Sequence, residues 1–385
     1  MVAQHYDALV VGAGPAGAVA AYELTRAGVR TLLIEKARLP RYKTCGGGIT
    51  HKSVRALPFS IAPVTERTLY AADFSWRTEQ PYVVKSEKPL VYMVQRSRFD
   101  NFLTEQAARA GAQVMDGTTL QSVDMSEHGV SIGSTQGTFS ADYLVGADGA
   151  TGKVARSLGL MPDRWALAAL EAEVEVEPYV MDYWQDKMGL DMGELKASYG
   201  WVFPKGDHLS VGVGGLPILP DYGSLLKRYD DKHTANRVPG TAIKKVLRKH
   251  GYLLPLRRPG APVQKGRAVL VGDAAGLVEA FTGEGIFWAI RSGQIAARCI
   301  ARGRPETYTA YLDKALMPDL LSARRWMRVY VNVPKACYLL PRQSSFFWGA
   351  VCRIVRGERR FRDIGRRLGP LGFVEKLLPD PVSET

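Results

Sequence analysis

Gly12-Ala13-Gly14-Pro15-Ala16-Gly17 is the first stretch whose residue types and spacing can do chemistry. Gly12 permits a tight turn, Gly14 lets a pyrophosphate approach the backbone, and Gly17 allows a helix to pack closely on a strand. A helix opening there offers free N–H groups and a positive dipole end to phosphates. Glu35 follows where an acid accepts hydrogen bonds from ribose hydroxyls and disfavours a 2′-phosphate. The stretch predicts a dinucleotide site. Three further segments bear reactive or polar groups: Cys45-Gly46-Gly47-Gly48, the turn around Asp148, and the turn around Asp273, which Thr282-Gly283-Glu284-Gly285-Ile286 follows. No Ser/His/Asp arrangement stands out, and His208 and His233 lack partners at metal-ligand spacing. Gly212-Val213-Gly214-Gly215 runs into Leu216-Pro217 rather than a helix, so a second dinucleotide site is not expected.

Such groups need regular elements to hold them. Tyr6–Val11 reads as a strand, Ala18 to about Ala27 as a helix stopped by Gly28, and Thr31–Ile34 as a second strand ending at Glu35. Together they make one βαβ unit. Alternation between residues 54 and 94 predicts strands, among them Tyr82–Val84 and Val91–Val94, and Arg98–Ala110 reads as a helix closed by Gly111. Tyr143–Gly146 is a buried-type strand. Residues 167–215 read as strands, with Glu171, Glu173, Glu175 and Glu177 alternating with Ala172, Val174 and Val176 as in a sheet wet on one face. Helical spacing is expected over Leu225–His250, a strand at Ala268–Val271, and a helix at Gly285–Ala301. Helices broken at Pro334, Pro341 and Pro370 fill the remainder.

The strand Val269–Val271 delivers Asp273 into a turn, and Thr282–Ile286 then opens a helix. This arrangement resembles the second FAD fingerprint of the p-hydroxybenzoate hydroxylase fold. Gly146–Lys153 resembles that fold's Asp-Gly motif, with Gly152 where serine is usual. Lys43-x-Cys45-Gly46-Gly47-Gly48, with Tyr199-Gly200-Trp201-Val202-Phe203-Pro204-Lys205, resembles the geranylgeranyl reductase family. That resemblance implies a FAD enzyme that hydrogenates isolated double bonds of polyprenyl chains in chlorophyll precursors, archaeal lipids or quinone tails. It also implies an α/β architecture: a Rossmann-like FAD domain of the p-hydroxybenzoate hydroxylase type, an antiparallel-sheet substrate domain and a helical C-terminal segment. The expected division is 1–75, 95–165 and 261–305 for the FAD domain, 76–94 and 166–260 for the substrate domain, and 306–385 for a basic helical segment.

The resemblance implies cofactor contacts from Gly12, Gly14, Pro15, Ala16 and Gly17, from Glu35 and Lys36, and from Cys45, Gly46 and Gly48 beside the isoalloxazine. Arg96 is expected near phosphates or ribose, backbone at Leu120 near adenine, and Asp273 near the ribityl or pyrophosphate. Gly283, Gly285 and Ile286 would face the flavin's pyrimidine edge, where backbone amides stabilise negative charge on the reduced ring. Cys45 is the expected catalytic residue, as flavin contact or proton relay. Tyr199, Trp201 and Phe203 alternate on a strand and are expected to line an apolar substrate slot. Halogenases of this fold carry W-x-W-x-I-P there, and Tyr199, Trp201, Phe203 and Pro204 depart from it. A FAD-dependent monooxygenase or halogenase is the alternative. The expected partners are a prenyl-chain lipid and an external electron donor, NAD(P)H or a ferredoxin-like protein; no metal is expected.

At 385 residues and 46% hydrophobic content the chain is a folded globular protein, not a disordered or collagen-like one. Its net charge is +13, and twelve Lys/Arg against Glu358 and Asp363 put +10 of that excess between Leu321 and Gly372. Aromatics interleaved there (Trp326, Tyr330, Tyr338, Phe346, Phe347, Trp348) with the arginines suit an anionic membrane surface. No groove-reading module is visible, so no nucleic acid partner is expected. Four cysteines without CxxC or framework spacing favour a reducing compartment. No apolar run reaches the roughly 18–20 residues of a spanning helix. A strand expected almost at Met1 leaves no room for a signal peptide. The expectation is a cytoplasmic protein, peripheral at the membrane.

Overall fold

The computed structural model describes residues 4–160, 165–238 and 240–363. The first apolar run forms β1 (Gln4–Val11), and α1 (Pro15–Arg26) starts on a proline whose fixed φ suits a first helical position. β2 (Thr31–Ile34) then pairs parallel with β1. The glycine loop returns through β3 (Gly48–Thr50) into α2 (His51–Ala56). Next come β4 (Arg67–Leu69), β5 (Ala71–Trp76), β6 (Glu79–Lys85), β7 (Val91–Met93) and α3 (Arg96–Arg109). β8 (Gln113–Met115), the hairpin of β9 (Leu120–Met125) and β10 (Val130–Ser134), β11 (Gly137–Gly146) and α4 (Lys153–Ser157) complete the first half.

The second half begins with β12 (Trp165–Val176), α5 (Pro178–Trp184), β13 (Lys187–Met192), β14 (Ser198–Pro204) and β15 (Leu209–Gly215). α6 (Tyr222–Arg237) and β16 (Ile243–Leu256) follow, then β17 (Gln264–Lys265), β18 (Ala268–Leu270) and α7 (Ile286–Ala301). The last described helices are α8 (Tyr308–Ala315), α9 (Met317–Asn332), α10 (Pro334–Gln343) and α11 (Ser345–Val355).

One sheet has the order β17-β18-β11-β1-β2-β8, in which β18, β11, β1, β2 and β8 are all parallel. Its strands are near-continuous apolar runs because helices cover both faces, as parallel sheets require. The core joins Leu9, Leu33, Val145 and Val269 to α1 and α7. β3, β7 and β4 form a small sheet, and the second large one, β16-β12-β15-β14-β13-β5-β6, is antiparallel except where β13 meets β5. Its outer face packs on α5 and α6, burying Val174, Val202 and Val211 against Val180 and Trp184. Each such burial contributes about 1.5–3 kcal/mol.

Three expectations need correction. The helical spacing over Leu225–His250 holds only to Arg237; Ile243–Leu256 is the edge strand β16, paired with β12 from Trp165↔Leu256 to Val176↔Ile243. Its lysines and arginines sit in solvent on an edge, so apolar period does not mark it as a strand, and pairing overrides the local pattern. A helix, α5, interrupts the strands expected between 167 and 215. Pro341 lies inside α10 instead of ending it, while Pro334 opens that helix; Pro370 lies outside the described residues.

Candidate active site

The two sheets face each other across a cavity of about 890 Å³, at the large end for a small-molecule site. The loop after β1 forms one end. A Cβ on Gly17 would sit 1.9 Å from the Gly12 carbonyl oxygen, so Gly17 is what lets α1 start so close to β1. Gly12, Gly14, Pro15 and Ala16 line the cavity, and Gly17 lies behind them. Nothing but the Arg41 guanidinium, 4.0 Å away, lies near a Cβ built on Gly14. The first turn of α1 has neither a side-chain cap nor an acidic residue. An open, positively poled helix end fits a diphosphate.

Glu35 closes β2. It is buried and accepts from the backbone N–H of Ala13 at 2.8 Å and of Ala37 at 3.2 Å. Arg41 stands 3.4 Å from it and donates to Asp100 at 2.9 Å. Asp100, wholly buried, also takes both arms of Arg96 at 2.8 and 2.9 Å. Burial alone would lower the Arg96 pKa; Asp100 beside it outweighs burial and raises it. Arg96 also hydrogen-bonds the Cys45 sulfur, which accepts from Gly47 N–H at 3.4 Å as well. Lys36 stands exposed at the rim, and Leu120 lines the same end, its carbonyl accepting from Lys153. At Gly152 a Cβ would lie 2.2 Å from the Asp148 carboxyl, which instead accepts from Val154 N–H at 2.9 Å to open α4. That contact explains glycine where serine is usual.

Asp273 follows β18 and accepts from the Tyr252 hydroxyl at 3.1 Å. The Lys43 ammonium rests 3.2 Å from the centre of the Tyr252 ring. Burial, then the Arg96 charge, lowers the Lys43 pKa to about 8. Gly283, Gly285 and Ile286 bring the uncapped start of α7 to the cavity, with Glu279 bonding the N–H groups of Phe281 and Thr282 to hold the preceding loop.

The antiparallel sheet carries three cross-strand rows, of which Tyr199, Gly214, Ala169, Tyr252, Trp201, Glu171 and Phe203 line the cavity. Tyr199, Gly214, Ala169 and Tyr252 are in register, then Trp201, Gly212, Glu171 and His250, then Phe203, Ser210, Glu173 and Arg248. The face thus grades from aromatic on β14, through small on β15, to acidic on β12 and basic on β16. Beyond β14 it continues apolar with Leu190, Met192 and Phe74. Cys45, Gly46 and Gly48 lie against this face: a Cβ on Gly46 would be 2.7 Å from Phe203 and 3.4 Å from Trp201 Nε1. Tyr199, Trp201 and Phe203 all reach the cavity.

Two features escaped the sequence. Glu171 does not belong to a solvated face; it is 4% exposed, because the FAD-side loop roofs that end of β12. The far end of the cavity is walled by α9–α11, through Tyr330, Phe347, Trp348, Val351 and Val355. Several of the aromatics expected at a membrane therefore face inward. Arg324 and Arg328 are buried too, and Arg366 and Arg367 lie outside the described residues. Sequence alternation marks one side of a strand but not what covers it.

The FAD binding domain family matches residues 5–191. The geranylgeranyl diphosphate reductase of Rhodobacter capsulatus is 32% identical over 335 residues, covering 83% of this chain and 79% of the relative. The chain belongs to the geranylgeranyl reductase family. A geranylgeranyl bacteriochlorophyll reductase-like protein from Thermoplasma acidophilum superimposes with a TM-score of 0.76 at 25% identity, over 85% of this chain and 88% of that one. A flavin-dependent brominase matches with a TM-score of 0.74 at 19% identity, over 92% of this chain and 94% of that one, a likeness of fold alone. FAD is the cofactor of this geranylgeranyl reductase family member, and the fold is that of p-hydroxybenzoate hydroxylase. Among the described residues no cluster of His, Cys, Asp or Glu could hold a metal ion, and no helix is long and apolar enough to cross a membrane.

If Glu35 holds the ribose, Glu35→Ala should lower FAD affinity about 10- to 100-fold. A charge-assisted hydrogen bond is worth about 1.5–3 kcal/mol. Flavin retained at full stoichiometry through exhaustive dialysis would contradict that role.

Proposed function

We propose that this protein saturates isolated double bonds of a polyprenyl chain. One observation carries the reading. A single cavity runs from the dinucleotide loop, past Cys45–Gly48, to an apolar end walled by Phe74, Trp348 and Val351. Bound, reduced FAD supplies the hydride. Everything else falls to the chain. Gly14 and the start of α1 hold the diphosphate, Glu35 the ribose, and Asp273 with Gly283–Ile286 the ribityl and ring edge. The Cys45 sulfur, acting as acceptor for Gly47 and Arg96, serves as a contact that fixes the loop against the ring.

An isolated alkene has no carbonyl to polarise, so alignment supplies much of the rate. Trp201 and Phe203 set one wall, and the apolar end draws in the tail. At about 0.8 kcal/mol per CH₂, a C20 chain offers on the order of 10 kcal/mol before entropic costs. Electrons arrive from an external donor, NAD(P)H or a ferredoxin-like protein. Gly212–Gly215 belong to β15 and form no second nucleotide loop.

The test is anaerobic. Protein carrying chemically reduced FAD is mixed with geranylgeranyl diphosphate and with lipids and quinones bearing prenyl tails, and product mass is read. Two hydrogens gained per turnover is the expected result. Products heavier by oxygen or halogen, formed only in air, would instead make it a monooxygenase or halogenase.

The apolar end opens beside α10, where Val333 and Leu340 both line the cavity and are exposed, flanked by Lys335 and Arg342, with Phe346 73% exposed nearby. We infer that this mouth rests on anionic lipid, from which the substrate enters. Flotation with vesicles should require anionic lipid and weaken with salt; equal binding to neutral vesicles in high salt would refute the electrostatic part.

A further inference from the structure

Saturating an alkene takes a proton as well as a hydride, and the cavity must hold its source. Most acids lining it are occupied. Glu35 binds two backbone N–H groups, Asp148 caps α4, Asp273 accepts from Tyr252, and Glu284 pairs with Lys52 at 2.5 Å. Glu171 differs. Ser210 hydrogen-bonds its carboxyl, yet Oε1 is buried with no hydrogen-bond partner among the described residues. The Ser210 hydroxyl in turn accepts from Trp201 Nε1 at 3.2 Å. Trp201 lies flat across Gly212, between its own strand and Glu171, directly under the Cys45–Gly48 loop. Glu171 lines the cavity together with the Cys45–Gly48 loop, and its unpartnered oxygen lies just beneath that surface, so a rotation of the carboxyl brings it to the slot.

We propose that Glu171 is the acid that protonates the alkene carbon not receiving hydride. This rests on the alkene-reductase reading above. The carboxyl O–H bond breaks and a C–H bond forms with the alkene's π electrons. Hydride, which reduced FAD would supply when bound, would complete the second C–H bond, so that the alkene's two-electron reduction is balanced by oxidation of the cofactor. Glu171 is left as carboxylate and regains its proton from solvent. Glu173, two residues along the same face, leads outward: the His208 ring lies 3.8 Å from it and 2.7 Å from exposed Asp207. The first of these distances is too long for direct transfer, so a water or a rotation completes the path.

The surroundings keep the acid protonated where it is needed. Burial raises its pKa to about 7; Lys205 opposes this, Glu173 adds to it, and Lys43 opposes it more weakly. Tyr42 from the loop, and His250 and Arg248 from β16, are the other titratable or charged neighbours. Because the protonated form is active, turnover should fall as pH rises above about 7.

The experiment follows flavin reoxidation in a single anaerobic turnover of reduced holoenzyme with whichever prenyl lipid the wild type saturates. Glu171→Gln should keep its FAD and slow this step by about 10²–10⁴-fold, and it should lose the alkaline limb. Glu171→Asp, which keeps a carboxyl, should recover part of the rate and the limb, and it serves if the glutamine variant does not fold. Infrared titration of wild type should show a carboxylic C=O band, assigned by these variants, that fades with a midpoint near 7. A wild-type rate and limb in Glu171→Gln, or a midpoint near that of an exposed glutamate, would overturn the proposal. A wild type that saturates no prenyl lipid would remove the reductase reading, and Glu171's role with it.

Discussion

Asp100→Ala should cost about 3–5 kcal/mol of stability, because it removes one partner of a buried charge cluster and strands the others. Asp100 is wholly buried between the guanidinium groups of Arg96 and Arg41, accepting three hydrogen bonds of 2.8–2.9 Å from them. Without it two cations face each other in a part-buried space. Arg41, already 3.4 Å from Glu35, would turn fully to that carboxylate and compete with the ribose. Urea unfolding of the flavin-free protein should show the loss, and flavin binding should weaken beyond what the stability change explains. Asp100→Asn, which keeps the shape without the charge, should fall between. A loss under about 1 kcal/mol for the alanine variant would mean that water reaches the guanidinium groups after all.

Gly212→Val should leave FAD in place and cut turnover by at least about 100-fold. A Cβ there would lie 2.3 Å from the Trp201 indole and 2.4 Å from the Leu170 carbonyl oxygen. Both neighbours must give: β12 shifts locally at Leu170, and the indole leaves the position where it bonds Ser210. It would then project into the slot that has to align an unactivated alkene, and a misplacement of about 1 Å costs on the order of 10² in rate. Flavin content per protein and prenyl reduction per flavin separate the two effects. Unchanged reduction per flavin would show that Trp201 does not wall the reacting segment.

The parts of this architecture that could be read in advance are those in which local pattern and ligand chemistry coincide. A strand, three glycines, a helix and an acid at the next strand's end can be recognised because their spacing belongs to one local unit, β1–α1–β2. The turn at Asp273, the helix start at Gly283–Gly285 and the period-2 run Tyr199, Trp201, Phe203, all of which line the cavity, could be read as local elements. Glu171 could not. Its alternation with Ala172 and Val174 says only that it faces away from α5 and α6, and the roof over it comes from residues 41–48, distant in sequence. β16 was hidden by its own charge, since an edge strand wet along most of its length has no apolar face to declare it. The aromatics of α9–α11 gave a composition suited to a membrane, and their packing turned Tyr330 and Trp348 inward instead.

The place of β18 beside β11 has a consequence for how the molecule is made. These neighbours are joined only through the entire run from β12 to β16, so the parallel sheet stays open until residue 270 has been synthesised. Among the intervening strands, β13, β14 and β15 pair through short connections and can settle first, because nearby contacts close faster than distant ones. At about 5–20 residues per second, the sheet that carries the Gly12–Gly17 loop waits roughly 15–50 s after that loop is made for its last parallel strand. During that time β1 and β2 already have β11 and β8 beside them, but the apolar end of β11, Leu144–Gly146, lacks its partner on the other edge, which makes that edge the part of the nascent chain most in need of a chaperone.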